Sequence, residues 1–120
     1  MVNPAALKPL VFVGSSREDL RDVPKEVRTV MGAALHAAQL GGRHDHAKPL
    51  KGFGGASVLE VVEDSDGDTY RAIYTVRLKD VVYVLHVFQK KSRRGSQTPR
   101  HEMDLVRSRL ELARQIHESR

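Results

Sequence analysis

The sequence predicts an α+β domain in which a small antiparallel-centred sheet has its helices packed on one face. Apolar residues recur every three or four positions in two segments, which indicates amphipathic helices after residue 24 and after residue 99. Between residues 58 and 90, three apolar segments are separated by turn residues, which indicates consecutive antiparallel strands. With a first strand and a short helix at the start, the predicted order is β-α-α-β-β-β-α.

The first half of the chain predicts one strand and two helices. Leu10–Val13 is a short apolar strand, and Ser15 with Glu18 fits a capping box that opens a short helix. Pro24 is suited to the first turn of a longer helix, which ends at Gly41–Gly42. The apolar stripe of this helix consists of Val27, Val30, Met31, Ala34, Leu35 and Ala38.

The second half predicts a loop, three strands and a last helix. Residues 43–57 form the loop, which is rich in glycine, histidine and lysine. The strands are Val58–Glu63, Thr69–Leu78 and Val81–Lys90, joined by turns at Asp64–Asp68 and Lys79–Asp80. Thr98 is the expected N-cap of the last helix and Pro99 its first residue, and its apolar stripe consists of Met103, Val106, Leu110 and Ala113.

Length and composition indicate a single domain. The 120 residues suffice for one hydrophobic core, so we treat residues 1–120 as one domain. No apolar segment approaches the roughly 20 residues that span a bilayer. The first nine residues lack the profile of a secretory signal, and we therefore expect a cytoplasmic protein. The absence of cysteine excludes disulfides, thiolate nucleophiles and zinc–thiolate sites.

A tight turn at Lys79–Asp80 would define the register of the last two strands. Arg71 then lies opposite Phe88, and the guanidinium, an imidazole, an ammonium and a phenyl ring share one face of the sheet. The opposite face is almost wholly apolar and should bury against the helices. In this register the polar face carries Arg71, Ile73, Thr75, Arg77, Val82, Val84, His86, Phe88 and Lys90.

Such a set of side chains suits a phosphodiester substrate. Arginine braces phosphate oxygens with two hydrogen bonds, and lysine stabilises negative charge that develops in a transition state. His86 could transfer protons near neutral pH, and Phe88 offers a stacking surface for a base. The alternatives are a structural histidine and an Arg71 that merely pairs with Glu60 or Glu63 on the neighbouring strand.

Positive charge is concentrated after the last central strand. The chain has a net charge of +5, and the segment from Phe88 to His101 contains no acidic residue. Its basic residues are Lys90, Lys91, Arg93, Arg94 and Arg100. Such a segment attracts phosphate or an acidic protein surface, or is simply solvated.

Other motifs predict no metal or cofactor site. Asp64–Asp68 has some features of a calcium loop, but its glycine comes too early and no glutamate closes the loop. His44–Asp45–His46 is a short exposed sequence with weak metal-binding character. Gly52–Gly55 lacks the spacing of a phosphate-binding loop.

Seven short segments carry a resemblance to a known family. They are Lys8–Val11, Gly14–Ser16, Ala38–Gly42, Ala47–Gly54, Asp68–Val76, Tyr83–Ser92 and Thr98–Pro99. In this order they resemble the phage-derived branch of the RelE/HigB toxin superfamily, over about residues 8–112. The resemblance implies a toxin of a type II toxin–antitoxin system with a compact sheet-and-helix fold.

The resemblance also implies an activity. Toxins of this kind are endoribonucleases that cut messenger RNA, usually in the ribosomal decoding site, and are therefore called mRNA interferases. The ribose 2′-hydroxyl attacks the adjacent phosphate and the 5′-oxygen of the next nucleotide leaves, with no metal or cofactor. The alternatives are a ParE-like gyrase poison, since ParE toxins share the fold, and an inactive module that only binds its antitoxin.

Site residues follow from the same resemblance. Arg71 matches the strand arginine that contacts the scissile phosphate, and no tyrosine follows Tyr83 that could act as the base. We therefore expect His86 to be the candidate base, with His101 in reserve. The implied catalytic residues are Arg71, His86, Lys90 and Lys91, and the implied RNA-binding residues are Lys48, Lys51, Phe88, Arg93 and Arg94.

The implied partners are proteins and RNA. The resemblance implies a cognate helix-turn-helix antitoxin of the HigA type, which would also connect the toxin to operator DNA. The implied substrate is messenger RNA on the ribosome, and no membrane partner is expected.

Overall fold

The computed structural model describes residues 7–90 and 98–120. Its elements are β1 (Leu10–Phe12), α1 (Ser16–Asp22), α2 (Lys25–Gln39), β2 (Ala47–Pro49), β3 (Val58–Ser65), β4 (Asp68–Thr75), β5 (Val82–Lys90) and α3 (Arg100–Glu118). The sheet order is β1-β5-β4-β3-β2, in which β1 is parallel to β5 and the other neighbours are antiparallel. The α+β class and the order of the predicted elements are confirmed, and β2 is an additional short strand within the predicted loop.

Helix α2 packs its predicted stripe against one face of the sheet. The buried residues of the helix are Val27, Met31, Ala34, Leu35 and Ala38. They form one core cluster with Leu59, Val61, Ala72 and Tyr74 of the sheet. Within the described ranges, no helix is long and apolar enough to cross a membrane.

Helix α3 covers the opposite face of the sheet. Its buried Val106 and Ala113 belong to a second core cluster, together with Ile73 and Tyr83. Ala72 and Ile73 are neighbours in β4 but belong to different clusters, because successive side chains of a strand point to opposite faces. The expectation that all helices pack on one face is therefore corrected: both faces of the sheet are apolar enough to require a cover.

The β3–β4 hairpin closes with a two-residue turn inside the predicted turn segment. Ser65 pairs with Asp68, and the two residues between them, Asp66 and Gly67, have φ angles of 52° and 86°. Positive φ at both central positions is the type I′ geometry, whose twist matches that of the flanking strands. Asp66 thus serves the turn, and Asp64 accepts a hydrogen bond from Oγ1 of Thr69.

The predicted pairing of β4 with β5 is confirmed in the half of the hairpin far from its turn. Arg71 lies opposite Phe88 and Ile73 opposite His86, as the predicted register requires. The register then shifts, because Tyr74 pairs with Val84, which leaves Leu85 as an extra residue in β5. This is a β-bulge, which two residues of one strand form against one of its partner.

The bulge corrects the predicted faces of β5. Val82 and Val84 were predicted to share the face of Arg71, but they pack in the α2 cluster. Tyr83 and Leu85 instead pack in the α3 cluster. Because of the inserted residue, the β5 side chains between the turn and the bulge point to the opposite faces from those predicted. The face that carries Arg71 thereby gains two large apolar side chains, which helps to explain why α3 covers it.

A glycine allows α3 to approach the end of β1. Gly14 has a φ of +59°, and a Cβ atom at this position would lie 2.7 Å from Nε of Arg109 on α3. We expect Gly14→Ala to destabilise the protein by about 1–3 kcal/mol, because both the backbone conformation and the contact are unfavourable for alanine. The free energy of unfolding in urea measures this effect.

Gly32→Ala is the matched control for this substitution. Gly32 lies inside α2 and an added Cβ would meet no atom within 4 Å. Alanine should therefore stabilise the helix by about 0.5–1 kcal/mol. Equal stabilities for the two variants would contradict the assigned role of Gly14.

Candidate functional site

Arg71 on β4 is held by Glu60 on the neighbouring strand β3. Nη1 of Arg71 lies 2.7 Å from Oε2 of Glu60. Their side chains are only 5% and 13% exposed. A carboxylate this close compensates the burial of a guanidinium, and removing either partner would leave an uncompensated charge. The alternative interpretation of the sequence, in which Arg71 pairs with Glu60, is therefore confirmed as a contact.

A cavity of about 430 Å³ lies beside this ion pair. Lys48 is placed opposite Glu60 by the β2–β3 ladder, and Lys48 and Lys51 are both exposed. The lining residues are Lys48, Pro49, Leu50, Lys51, Glu60, Arg71, Thr98 and Met103. The cavity thus brings together three of the predicted site residues with one carboxylate. Three cationic side chains around a concave surface suit a phosphate.

Thr98 has a different place from the predicted one. The N-cap of α3 is Pro99, and no side chain of the described residues caps the helix. Oγ1 of Thr98 lies 3.4 Å from Nη1 of Arg71 and lines the cavity. The N-terminal end of α3 therefore forms one wall of the cavity.

His86 is buried beneath α3, at 5% exposure. Its Nε2 lies 3.1 Å from Oε1 of Glu102, and its Nδ1 lies 3.3 Å from Nη1 of Arg109. Because an arginine only donates, these contacts assign a neutral ring that accepts at Nδ1 and donates at Nε2. Burial lowers the pKa of His86, although the nearby Glu102 carboxylate acts in the opposite direction.

The other predicted side chains lie at varying distances from the cavity. Phe88 stacks on His86, with ring centroids 4.6 Å apart, and is partly buried in the α3 cluster. Lys90 is 8% exposed at the end of β5, opposite Thr69. His101 is exposed, with Nε2 3.7 Å from Oε1 of Glu102. Lys91, Arg93 and Arg94 lie outside the described residues.

The sequence did not single out Glu60 and Met103 as parts of this site. Glu60 was considered only as a partner for Arg71, although it lies on the same sheet face, opposite Ile73. Its signal was a charged residue between apolar neighbours, Leu59 and Val61. Met103 was assigned to the stripe of α3 that faces the core. Its position at the cavity depends on where the helix crosses the sheet, which periodicity does not report.

The two histidines of the His44–Asp45–His46 motif have structural contacts. Nδ1 of His46 pairs with Oε1 of Glu63 on β3, and His46 donates its backbone N–H to Nδ1 of His44. In the part of the chain that the structure describes, no three histidine or acidic side chains gather as a metal site would require.

We expect His86 to make stability depend on pH. In the unfolded chain the ring takes up a proton near its ordinary pKa of about 6.5, whereas the folded ring stays neutral until a lower pH. The free energy of unfolding therefore falls as the pH decreases through this window, by at most about 1.4 kcal/mol per pH unit from this group. Urea unfolding at several pH values measures it.

His86→Gln should lose this part of the pH dependence of the unfolding free energy, since glutamine has an amide in place of the titrating ring. His36→Gln, which removes an exposed histidine of α2, is the control for a histidine substitution as such. Parallel curves of unfolding free energy against pH for the wild type and His86→Gln would rule out a neutral, buried His86.

Comparisons with known proteins identify the family. The family model described as phage derived protein Gp49-like (DUF891) matches residues 18–111. One similar solved structure is the toxin–antitoxin complex RelBE2 from Mycobacterium tuberculosis, at 19% identity and a TM-score of 0.44, covering 72% of this chain and 95% of the other. No curated protein matches the sequence significantly. The chain belongs to the Gp49-like family, the phage-derived branch of the RelE/HigB toxin superfamily that its motifs predicted.

Proposed function

We propose that this protein is the toxin of a type II toxin–antitoxin pair and cleaves messenger RNA on the ribosome. The observation that carries the proposal is the cavity beside Arg71, in which Lys48, Lys51 and Glu60 surround one concave surface. Membership of the Gp49-like family supports the toxin role. The cavity supports the chemistry, because it combines phosphate-binding cations with a carboxylate that can accept a proton.

Arg71 is the proposed clamp for the scissile phosphate. Its guanidinium is held in place by Glu60, so little conformational entropy is lost when the phosphate binds. Lys48 and Lys51 stand exposed at the same cavity and can neutralise the remaining phosphate charge. These three cations would stabilise the extra negative charge of the pentacoordinate transition state.

Glu60 is the proposed general base. Its carboxylate accepts the proton of the ribose 2′-hydroxyl while the 2′-oxygen forms a bond to phosphorus. The bond from phosphorus to the 5′-oxygen breaks, and that oxygen takes a proton from a lysine ammonium group or from water. The products are a 2′,3′-cyclic phosphate and a 5′-hydroxyl. Glu60 replaces His86 in this role, because both ring nitrogens of His86 contact groups on α3.

The remaining predicted residues have supporting roles in the proposal. His86 and Phe88 position the part of α3 that forms one wall of the cavity. Lys90, Lys91, Arg93 and Arg94 are proposed to contact the RNA backbone beyond the scissile phosphate.

A cognate antitoxin is the proposed protein partner. We propose a helix-turn-helix antitoxin that neutralises the toxin by covering its basic face or by keeping it from the ribosome. Through this antitoxin the complex would reach operator DNA.

The proposed base can be tested with Glu60→Gln. Glutamine keeps the size and a hydrogen-bond acceptor for Arg71 but cannot take the proton. We expect cleavage to slow by about 10²–10⁴-fold, and the loss is assigned to the base where protein level and thermal unfolding show that the variant is folded although Arg71 has lost its compensating charge. The measurement is induction of each variant alone in a host, followed by mapping of new RNA 5′ ends on translated messages. Equal or faster cleavage by Glu60→Gln would assign Glu60 only to pairing with Arg71.

Arg71→Lys tests the clamp while it preserves the buried charge. Lysine cannot form the bidentate contact, so we expect new 5′ ends to decrease while protein level and thermal unfolding still show a folded protein. Growth arrest with intact messages in the wild type would instead support gyrase poisoning, and no arrest at all would support an inactive antitoxin-binding module.

A further inference from the structure

A second cavity, of about 420 Å³, lies between α3 and the segment that follows β2. Its lining combines apolar side chains with three arginines and one glutamate. The residues are Gly52, Phe53, Arg77, Leu78, Arg107, Leu110, Glu111 and Arg114. Neither the predicted site nor the proposed cleavage reaction uses this cavity.

The second cavity adjoins the first. Lys51 lines the first cavity and Gly52 lines the second, so the chain passes directly from one to the other. On α3, Met103 lines the first and Arg107 the second, one helical turn or about 6 Å further along the axis. A Cβ atom on Gly52 would contact both Arg107 and Met103, at 3.6 and 3.8 Å. The wall between the cavities is therefore thin.

Two of the three arginines are held by contacts within the protein. Arg77 donates from Nη2 to the carbonyl oxygen of Phe53 at 2.8 Å and from Nε to Oγ of Ser57 at 3.1 Å. Arg114 pairs with Glu111 and Glu118 on α3. The pairing compensates the negative charge of Glu111, the acidic residue of the lining.

Arg107 has a more open position. Its side chain is 53% exposed, and its contact with Asp104 is long, at 3.4 Å between Nη1 and Oδ1. Its guanidinium carbon lies 5.6 Å from the centroid of the Phe53 ring. The contact is a cation–π interaction, and at 53% exposure the guanidinium leaves part of its surface open to a planar group.

We propose that the second cavity binds the nucleotide next to the scissile phosphate in single-stranded RNA. The base of this nucleotide stacks on the Arg107 guanidinium and enters between Leu78 and Leu110. Arg107 and Arg77 attract the phosphate of the same nucleotide. The inference rests on the proposed function, since the first cavity must hold the scissile phosphate. Because the two cavities adjoin at Gly52, one RNA strand can span both.

A nucleotide fits this cavity better than an acidic peptide does. An acidic side chain would use the arginines but not the flat stacking surface or the apolar walls. A nucleotide uses all three, because it combines a phosphate with a planar base. The continuity with a cavity that already suits a phosphate favours the same ligand.

The test is the affinity of the full-length protein for 2′-O-methyl RNA, which lacks the attacking hydroxyl and is not cleaved. Fluorescence anisotropy compares two-nucleotide with four-nucleotide strands. We expect the longer strand to bind more tightly to the wild type and Arg107→Gln to lose about tenfold in affinity for it. The slope of log affinity against log salt should also decrease by about 1 for this variant.

Arg120→Gln is the matched control, because it removes the same charge from an exposed residue at the end of the chain. Equal affinities of Arg107→Gln and Arg120→Gln, or no gain from strand length in the wild type, would overturn the inference. So would an Arg107→Gln variant that binds RNA normally but escapes its antitoxin, which would make the cavity a peptide site. Mapped 5′ ends that depend on Arg71 and Glu60 would leave the proposed cleavage standing in each case.

Discussion

The docking of α3 on the sheet depends on partners for the polar side chains beneath it. Glu60 neutralises Arg71, and Glu102 with Arg109 satisfies both ring nitrogens of His86. A buried charge without such a partner would cost several kcal/mol, which is comparable to the whole stability of a small domain. Helix α3 can therefore cover this face only because Glu60, Glu102 and Arg109 are placed where they pair with the polar side chains beneath the helix.

The same helix that completes the core also shapes both cavities. Val106 and Ala113 face the sheet, whereas Met103 and Arg107 border the cavities on the side next to β2. Gly14 allows the close approach of Arg109, which also donates to the carbonyl oxygen of Leu85 and to Ser15. Packing and the proposed chemistry are thus linked, since a shift of α3 would change the core and the walls of the site together.

The candidate site could be predicted in part from the sequence. The ladder from Thr69 to Ile73 follows the predicted register, and Arg71 with Lys48 and Lys51 lines one cavity. His86 was expected as a base, yet it lies buried under α3. The sequence does not distinguish the two roles, since a histidine on a strand can belong to a core as well as to a reactive site. Glu60 was expected only as an ion-pair partner. Its place at the cavity follows from the strand pairing of β2 with β3.

The sequence by itself determined the element order, the buried stripe of α2, the far half of the β4–β5 register and the family. These follow from local periodicity, turn chemistry and motif order, which are properties of neighbouring residues. Tertiary structure alone decided the bulge at Leu85, the covering of the Arg71 face by α3 and the pairing of Arg71 with Glu60. Such features depend on contacts between distant segments, because an extra residue in a strand is tolerated only where both faces can still pack.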